Sequence, residues 1–191
     1  MKELLLIGTT VLALTTGGVT VGSANTGTTQ PHIRGSHTSV ALLDKAELIA
    51  QAQEDMLEQI ALQEETDRVN GVIEELKTHV GKTWYVFSGN TPSGWDCSGL
   101  TMWFYQQLGI ELEHRASKQE SAGTKVSDPK PGDLVVFKYN GNKSAYHVGI
   151  YIGNGEMIHA PKHGHVTRVE NIKTFAGNYS EVSYARFIET L

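Results

Sequence analysis

The stretch from Pro131 to Ala160 constrains the fold of this chain more than any other. Pro131-Gly132-Asp133 reads as a turn and Leu134-Val135-Val136-Phe137 as a buried strand. Tyr146-His147-Val148-Gly149-Ile150-Tyr151-Ile152-Gly153 reads as a second strand, and Glu156-Met157-Ile158-His159-Ala160 as a third. Between the last two lies Asn154-Gly155, the dipeptide that tolerates the positive φ angles of a two-residue hairpin. Strands joined in that way are antiparallel neighbours. The chain is thereby committed to an antiparallel sheet with strands near 132–139, 146–153, 156–160, 165–169 and 181–188. Helices predicted at 67–79 and 97–108 precede it, which makes the fold class α+β.

The 191 residues are 39% apolar and 19% charged, a globular balance that excludes disorder, collagen and a polytopic membrane protein. The net charge of −5 is unevenly spread: residues 40–80 carry ten acids against three bases, and the flanking parts are near neutral. A nucleic-acid partner is not expected, because no basic face is present.

Four segments follow from the pattern. Residues 1–24 are apolar and signal-like: Leu4 to Leu14 forms an apolar core, and Gly22-Ser23-Ala24 offers a cut after Ala24. The other reading is a retained segment, with membrane contact through residues 4–24. Residues 25–39 are rich in Gly, Ser and Thr and read as a linker, with Ser39 as a helix cap. Residues 40–66 read as an acidic amphipathic helix whose seam runs through Leu42, Ala46, Ile49, Gln53, Met56 and Ile60. That helix either lies on the next domain or associates through residues 40–63 with another copy or a carrier. Thr66 or Asp67 can cap a second helix, so the main domain is set at 67–191.

The chain has a single cysteine, Cys97, which can form no internal disulfide and no cysteine-based zinc site alone. It is therefore a buried inert thiol, a chance surface thiol or a nucleophile. Asp96 is a good helix cap and Gly109 a good terminator, so Cys97 falls in a first turn, where the helix dipole favours a thiolate. An inert core thiol would need apolar neighbours, whereas this turn contains Asp96, Ser98 and Gly99. A thiolate nucleophile also needs a base and a group that orients it. His147 and His159, on strands joined at the Asn154-Gly155 turn, fall side by side. Strand alternation alone equally allows each to be a half-buried packing residue. A zinc site of His159, His163 and His165 lacks acidic ligands at matching spacing, so no metal or other cofactor is expected.

Asp-Cys-Ser-Gly-Leu, Pro-Gly-Asp-Leu-Val-Val-Phe, His-Val-Gly-Ile-Tyr-Ile-Gly and Met-Ile-His-Ala occur in that order. Together they resemble the NlpC/P60 cysteine peptidases, papain-like enzymes of bacterial and phage cell-wall cleavage, over about residues 67–191. The resemblance implies a Cys-bearing helix packed on the antiparallel sheet, here preceded by an N-terminal helical extension. It implies Cys97 as nucleophile, His147 as general base and His159 as the residue that orients His147. Tyr85 would stand near the thiolate within Tyr85-Val86-Phe87-Ser88-Gly89, where Ser88 replaces the family's usual glycine. Asp96 and Ser98 occupy positions that bind a free N-terminal amine in some members. Arg115 matches a recurrent arginine, read as a structural brace.

The implied substrate is a peptidoglycan stem peptide, cut between D-Glu and the diamino acid, by an enzyme exported to the cell wall or carried on a phage virion. Two alternatives stand beside it. One is a virion component with an assembly role that carries this hydrolase domain. The other is a CHAP-like N-acetylmuramoyl-L-alanine amidase, against which His159 speaks, since that class usually has Asn, Asp or Glu as its third member.

Overall fold

A computed structural model of the chain describes residues 36–188, with side chains from Asp44 onward. The signal-like segment 1–24 and the first part of the expected linker, residues 25–35, lie outside the described residues. Helix α1 spans Ser36–Lys77, so residues 36–39 are helical rather than linker. It does not break at Thr66-Asp67, contrary to the expectation of two helices. Both candidate caps are spent inside one helix instead: the Thr66 hydroxyl donates to the Leu62 carbonyl at 2.8 Å, and Asp67 accepts from the Gln63 amide at 2.9 Å.

The face of α1 changes character along its length. Leu48, Ile49, Met56, Leu57 and Ile60 are all exposed, so this part does not lie on the domain as one reading had it. From Val69 onward, Val69, Val72, Ile73 and Leu76 are buried in the core. Among the described residues no helix is long and apolar enough to cross a membrane.

The sheet has six strands: β3 (Thr124–Val126), β4 (Leu134–Tyr139), β5 (His147–Gly153), β6 (Glu156–His159), β7 (Arg168–Asn171) and β8 (Ser180–Arg186). A two-stranded ribbon precedes it, β1 (Asn90–Thr91) with β2 (Gly94–Trp95). The order in the large sheet is β3-β8-β4-β5-β6-β7, with every pair antiparallel. Asn154 and Gly155 both take positive φ (53° and 73°) at the β5–β6 turn, as that dipeptide predicted.

Alternation along the strands makes two apolar layers. Leu134, Val136, Val148, Ile150 and Ile158 pack with Leu100 and Phe104 of α2 (Cys97–Gln107), with Leu108 just after it and with the end of α1. Val135, Phe137 and Met157 pack with Ile172 and Ala176 of the short helix α4 (Ile172–Ala176) and with Phe175. Helix α3 (Ala116–Ala122) connects α2 to β3, the edge strand of the sheet.

The Pro131-Gly132-Asp133 turn is braced by charge. Asp133, 1% exposed, accepts from Arg186 through Nε at 3.0 Å and Nη2 at 2.7 Å, and from the Lys130 N–H at 2.8 Å. Such a two-point guanidinium–carboxylate pair is strong when well satisfied. Removing one partner leaves a buried charge, so Arg186→Ala is expected to destabilise the protein by about 3–5 kcal/mol. Urea unfolding checks this, and Met56→Ser on the uncovered side of α1 should change the unfolding free energy by no more than about 0.5 kcal/mol.

Candidate active site

Asp96 caps α2, its side chain accepting from the Gly99 N–H at 2.8 Å, and this places Cys97 at the first helical position. Cys97 keeps partial exposure. It opens into a cleft of about 550 Å³, with Tyr85, His147, Arg168, Glu170 and Phe175 also in the lining. Lys162 and the aromatic rings of Tyr139, Tyr146 and Tyr179 extend the cleft wall. Tyr139 and Tyr146 are stacked, with centroids 4.0 Å apart.

His147 opens β5 and His159 closes β6. The pairing sets Ile150 opposite Ile158, so the same register continued by one residue sets Gly149 opposite His159. His147 and His159 are then diagonal neighbours on one face. A Cβ on Gly149 would sit 3.1 Å from the His159 Cβ and 2.9 Å from the Met157 sulfur, so glycine makes the space across which the two imidazoles meet. Nε2 of His147 lies 2.7 Å from Nδ1 of His159, and Nε2 of His159 lies 3.0 Å from a Glu170 carboxylate oxygen. Arg168 Nη2 is 2.8 Å from that same oxygen. Phe175 packs on both imidazoles, with ring centroids 4.8 Å from each.

The electrostatics are governed by burial. His147 and His159 are 4% and 0% exposed, and desolvation pushes both imidazoles well below their ordinary pKa. For His159 the neighbouring His147 and Arg168 add to the effect. Burial, reinforced by Asp96, pushes the Cys97 thiol up to about 11. Backbone N–H groups of Val148, Ser98 and Cys97 act on the sulfur in the opposite sense without prevailing. The resting pair is thus thiol and neutral imidazole. Tyr85 is raised by burial and then by Cys97 and Asp96, so its phenol stays protonated and able to donate.

Of the other residues named from the sequence, Asp96 and Ser98 are buried and fall outside the cleft lining. Asp96 Oδ1 receives the Ser98 hydroxyl at 2.9 Å, the Gly99 N–H and the His114 Nε2 at 2.9 Å, and Oδ2 receives the Ser88 N–H at 3.0 Å. Burial alone would raise its pKa, but the contacts from Gly99, His114 and Ser98 hold it below the ordinary carboxylate value. Ser88 takes a positive φ of 58°, the left-handed region that favours glycine. His114, Glu170, Arg168 and Phe175 were not read from the sequence. Among the described residues no group of three or more His, Cys, Asp or Glu converges as metal ligands.

An antiparallel sheet carrying a cysteine-bearing helix, with a cleft histidine linked to a second, buried one, defines the papain-like α+β class. The chain matches the NlpC/P60 family over residues 81–188 and belongs to that family. It is 43% identical over 95 residues to "Probable endopeptidase p60" of Listeria monocytogenes, covering 49% of this chain and 19% of that protein. It is 42% identical over 100 residues to a "Probable endopeptidase" of Mycobacterium bovis, covering 51% of this chain and 25% of that one. The chain thus spans about a fifth to a quarter of the length of these curated relatives. Among solved structures, the NlpC/p60 domain of the peptidoglycan hydrolase SagA is similar, with 37% identity and a TM-score of 0.53. That match covers 62% of this chain and 98% of that one.

Burial of neutral imidazoles has a consequence for stability. The unfolded chain takes up protons on these histidines below about pH 6.5, whereas the folded chain does so only at lower pH. The unfolded state therefore binds more protons in that window, and stability falls as the pH drops from about 6.5. Each such histidine contributes a slope of up to about 1.4 kcal/mol per pH unit. His159→Gln should remove one of these contributions. Urea unfolding at pH 7, 6 and 5 checks it: equal slopes for the two proteins would contradict the burial argument.

Proposed function

We propose that this protein is a cysteine endopeptidase that hydrolyses amide bonds in peptidoglycan stem peptides, cutting between D-Glu and the diamino acid. The observation that carries the reading is the cleft in which a partly exposed Cys97 adjoins the buried His147–His159 pair. Family membership and the named endopeptidase relatives support the reaction class. The name of the SagA neighbour supports peptidoglycan as the substrate class.

In this mechanism Nδ1 of His147 is assigned the proton of Cys97, since Nε2 is taken up by His159. The Cys97 thiol gives its proton to His147 as the sulfur attacks the amide carbonyl. The oxyanion is met by backbone N–H groups at the start of α2. The imidazolium then protonates the leaving amine, and the C–N bond breaks to leave a thioester. Water, deprotonated by His147, hydrolyses the thioester and regenerates the thiol. Such acid–base assistance is worth about 10²–10⁴-fold. The Tyr85 phenol, at the same cleft, is available to donate to the bound substrate. Asp96 and Ser98 serve as braces of the loop carrying Cys97, their polar atoms being engaged within the chain.

Action on peptidoglycan places the protein outside the cytoplasmic membrane, which agrees with the signal-like pattern of residues 1–24. The uncovered apolar side chains of α1 support contact with a second copy or a carrier through residues 40–63.

Purified peptidoglycan treated with the protein should release stem-peptide fragments whose new termini, read by mass spectrometry, identify the bond. Cys97→Ala should lower that release by at least about 100-fold. Equal products from both proteins would sink the reading.

A further inference from the structure

We propose that Glu170 is a positioning residue that fixes where the protons sit on His147 and His159, leaving Nδ1 of His147 unprotonated and ready to accept the thiol proton. This rests on the endopeptidase reading for its consequence in catalysis, although the proton arrangement itself can be measured without any substrate.

Glu170, His159 and His147 stand in contact one after another. A carboxylate oxygen accepts hydrogen bonds and donates none. His159 Nε2, 3.0 Å from Glu170, must therefore carry the hydrogen. A neutral imidazole has one N–H, so Nδ1 of His159 is an acceptor. Across the 2.7 Å contact, Nε2 of His147 must then donate. With its one hydrogen committed there, His147 presents the lone pair of Nδ1 to the cleft. Without Glu170 the reverse arrangement becomes open: Nδ1–H of His159 donates to Nε2 of His147. In that state Nδ1 of His147 already bears a proton and cannot take one from sulfur.

The sheet builds this chain of contacts. In the β6–β7 pairing Glu170 stands opposite Met157 and Arg168 opposite His159, so Glu170 is the diagonal neighbour of His159. Arg168 and Glu170 alternate toward the cleft while Val169 and Asn171 turn outward. Arg168 Nη2 lies on the same carboxylate oxygen as the imidazole, which holds the carboxylate in line with His159. Burial of both imidazoles keeps them neutral, which is the condition under which the choice between tautomers matters.

The test uses the full chain labelled with ¹⁵N, and reads the ring nitrogens of His147 and His159 by NMR. The wild type should show Nε2 of both rings protonated and Nδ1 of both bare. Glu170→Ala should populate the reverse arrangement. Glu170→Gln should keep the original one, because the amide oxygen accepts the same hydrogen bond. A wild-type spectrum with Nε2 of His147 bare overturns the proposal outright, even if neither variant folds.

On soluble muropeptides from digested peptidoglycan, Glu170→Ala should lower kcat by at least about tenfold with KM within about twofold. A wrong imidazole tautomer costs a Ser–His–Asp enzyme about 10⁴-fold, so the expected loss is well within reach. Glu170→Gln should recover most of that loss. Unchanged nitrogens and unchanged kcat in Glu170→Ala overturn the proposal. Equal losses in both variants with unchanged nitrogens do so as well, since they would assign Glu170 a role through charge alone. A wild type with the expected nitrogens but no cleavage of any muropeptide would refute the endopeptidase reading and leave the proton arrangement standing.

Discussion

The register between β5 and β6 is the constraint on which the rest of the site depends. It is set at the Asn154-Gly155 turn and passes through a shift between Tyr151 and Gly153 before the regular pairing of Ile150 with Ile158. A slip of one residue would turn His159 to the other face of the sheet, because side chains alternate with period two. In the observed register His159 meets a glycine, and its ring reaches diagonally to His147. The same alternation sends Val148 and Ile150 into the layer under α2, and it is the α2 side that delivers Cys97. A single strand pairing therefore aligns the two imidazoles with each other on one face of the sheet and seats α2 on the other.

Burial then decides the charge state of the site against the helix dipole. A thiol at a helix start gains some stabilisation of its anion, typically about 0.3–1 kcal/mol. Desolvation and the nearby Asp96 carboxylate act the other way and win, pushing the thiol up to about 11. The imidazoles, buried under Phe175, are pushed in the opposite sense. A standing thiolate–imidazolium pair is thus disfavoured in the resting site. Proton position at rest becomes the variable that the surrounding contacts must control.

What was legible in the sequence was local. The cap at Asp96, the terminator at Gly109 and the hairpin turn each depend on a few adjacent residues, and α2 and the central strands β4, β5 and β6 stand within two residues of expectation. The last connection was less so: a strand expected near 165–169 is found at Arg168–Asn171, which is why Glu170 fell beyond its end and went unread. Phe175 and α4 carry too short an apolar pattern to show a helical period. His114 reaches Asp96 across 18 positions of chain, a pairing that no spacing rule announces. The misplaced break in α1 has the same root, since Thr66 and Asp67 are cap residues by type and helix-interior residues by contact.

The Asp-Cys-Ser-Gly motif illustrates how a sequence pattern can mix two kinds of residue. Asp96 and Ser98 flank Cys97 and look, in the linear chain, like partners in its chemistry. In the fold they are 8% and 7% exposed and bonded to each other. Asp96 ties four backbone and side-chain groups together, among them the N–H of Ser88, which lies in a left-handed conformation that a non-glycine residue adopts only when held. Loss of the carboxylate would release that loop, the helix start and His114 together, leaving several buried donors without an acceptor. Tyr85 lies three residues before Ser88 and borders the cleft, so the shape of the cleft wall is coupled to a carboxylate that lies outside the cleft lining.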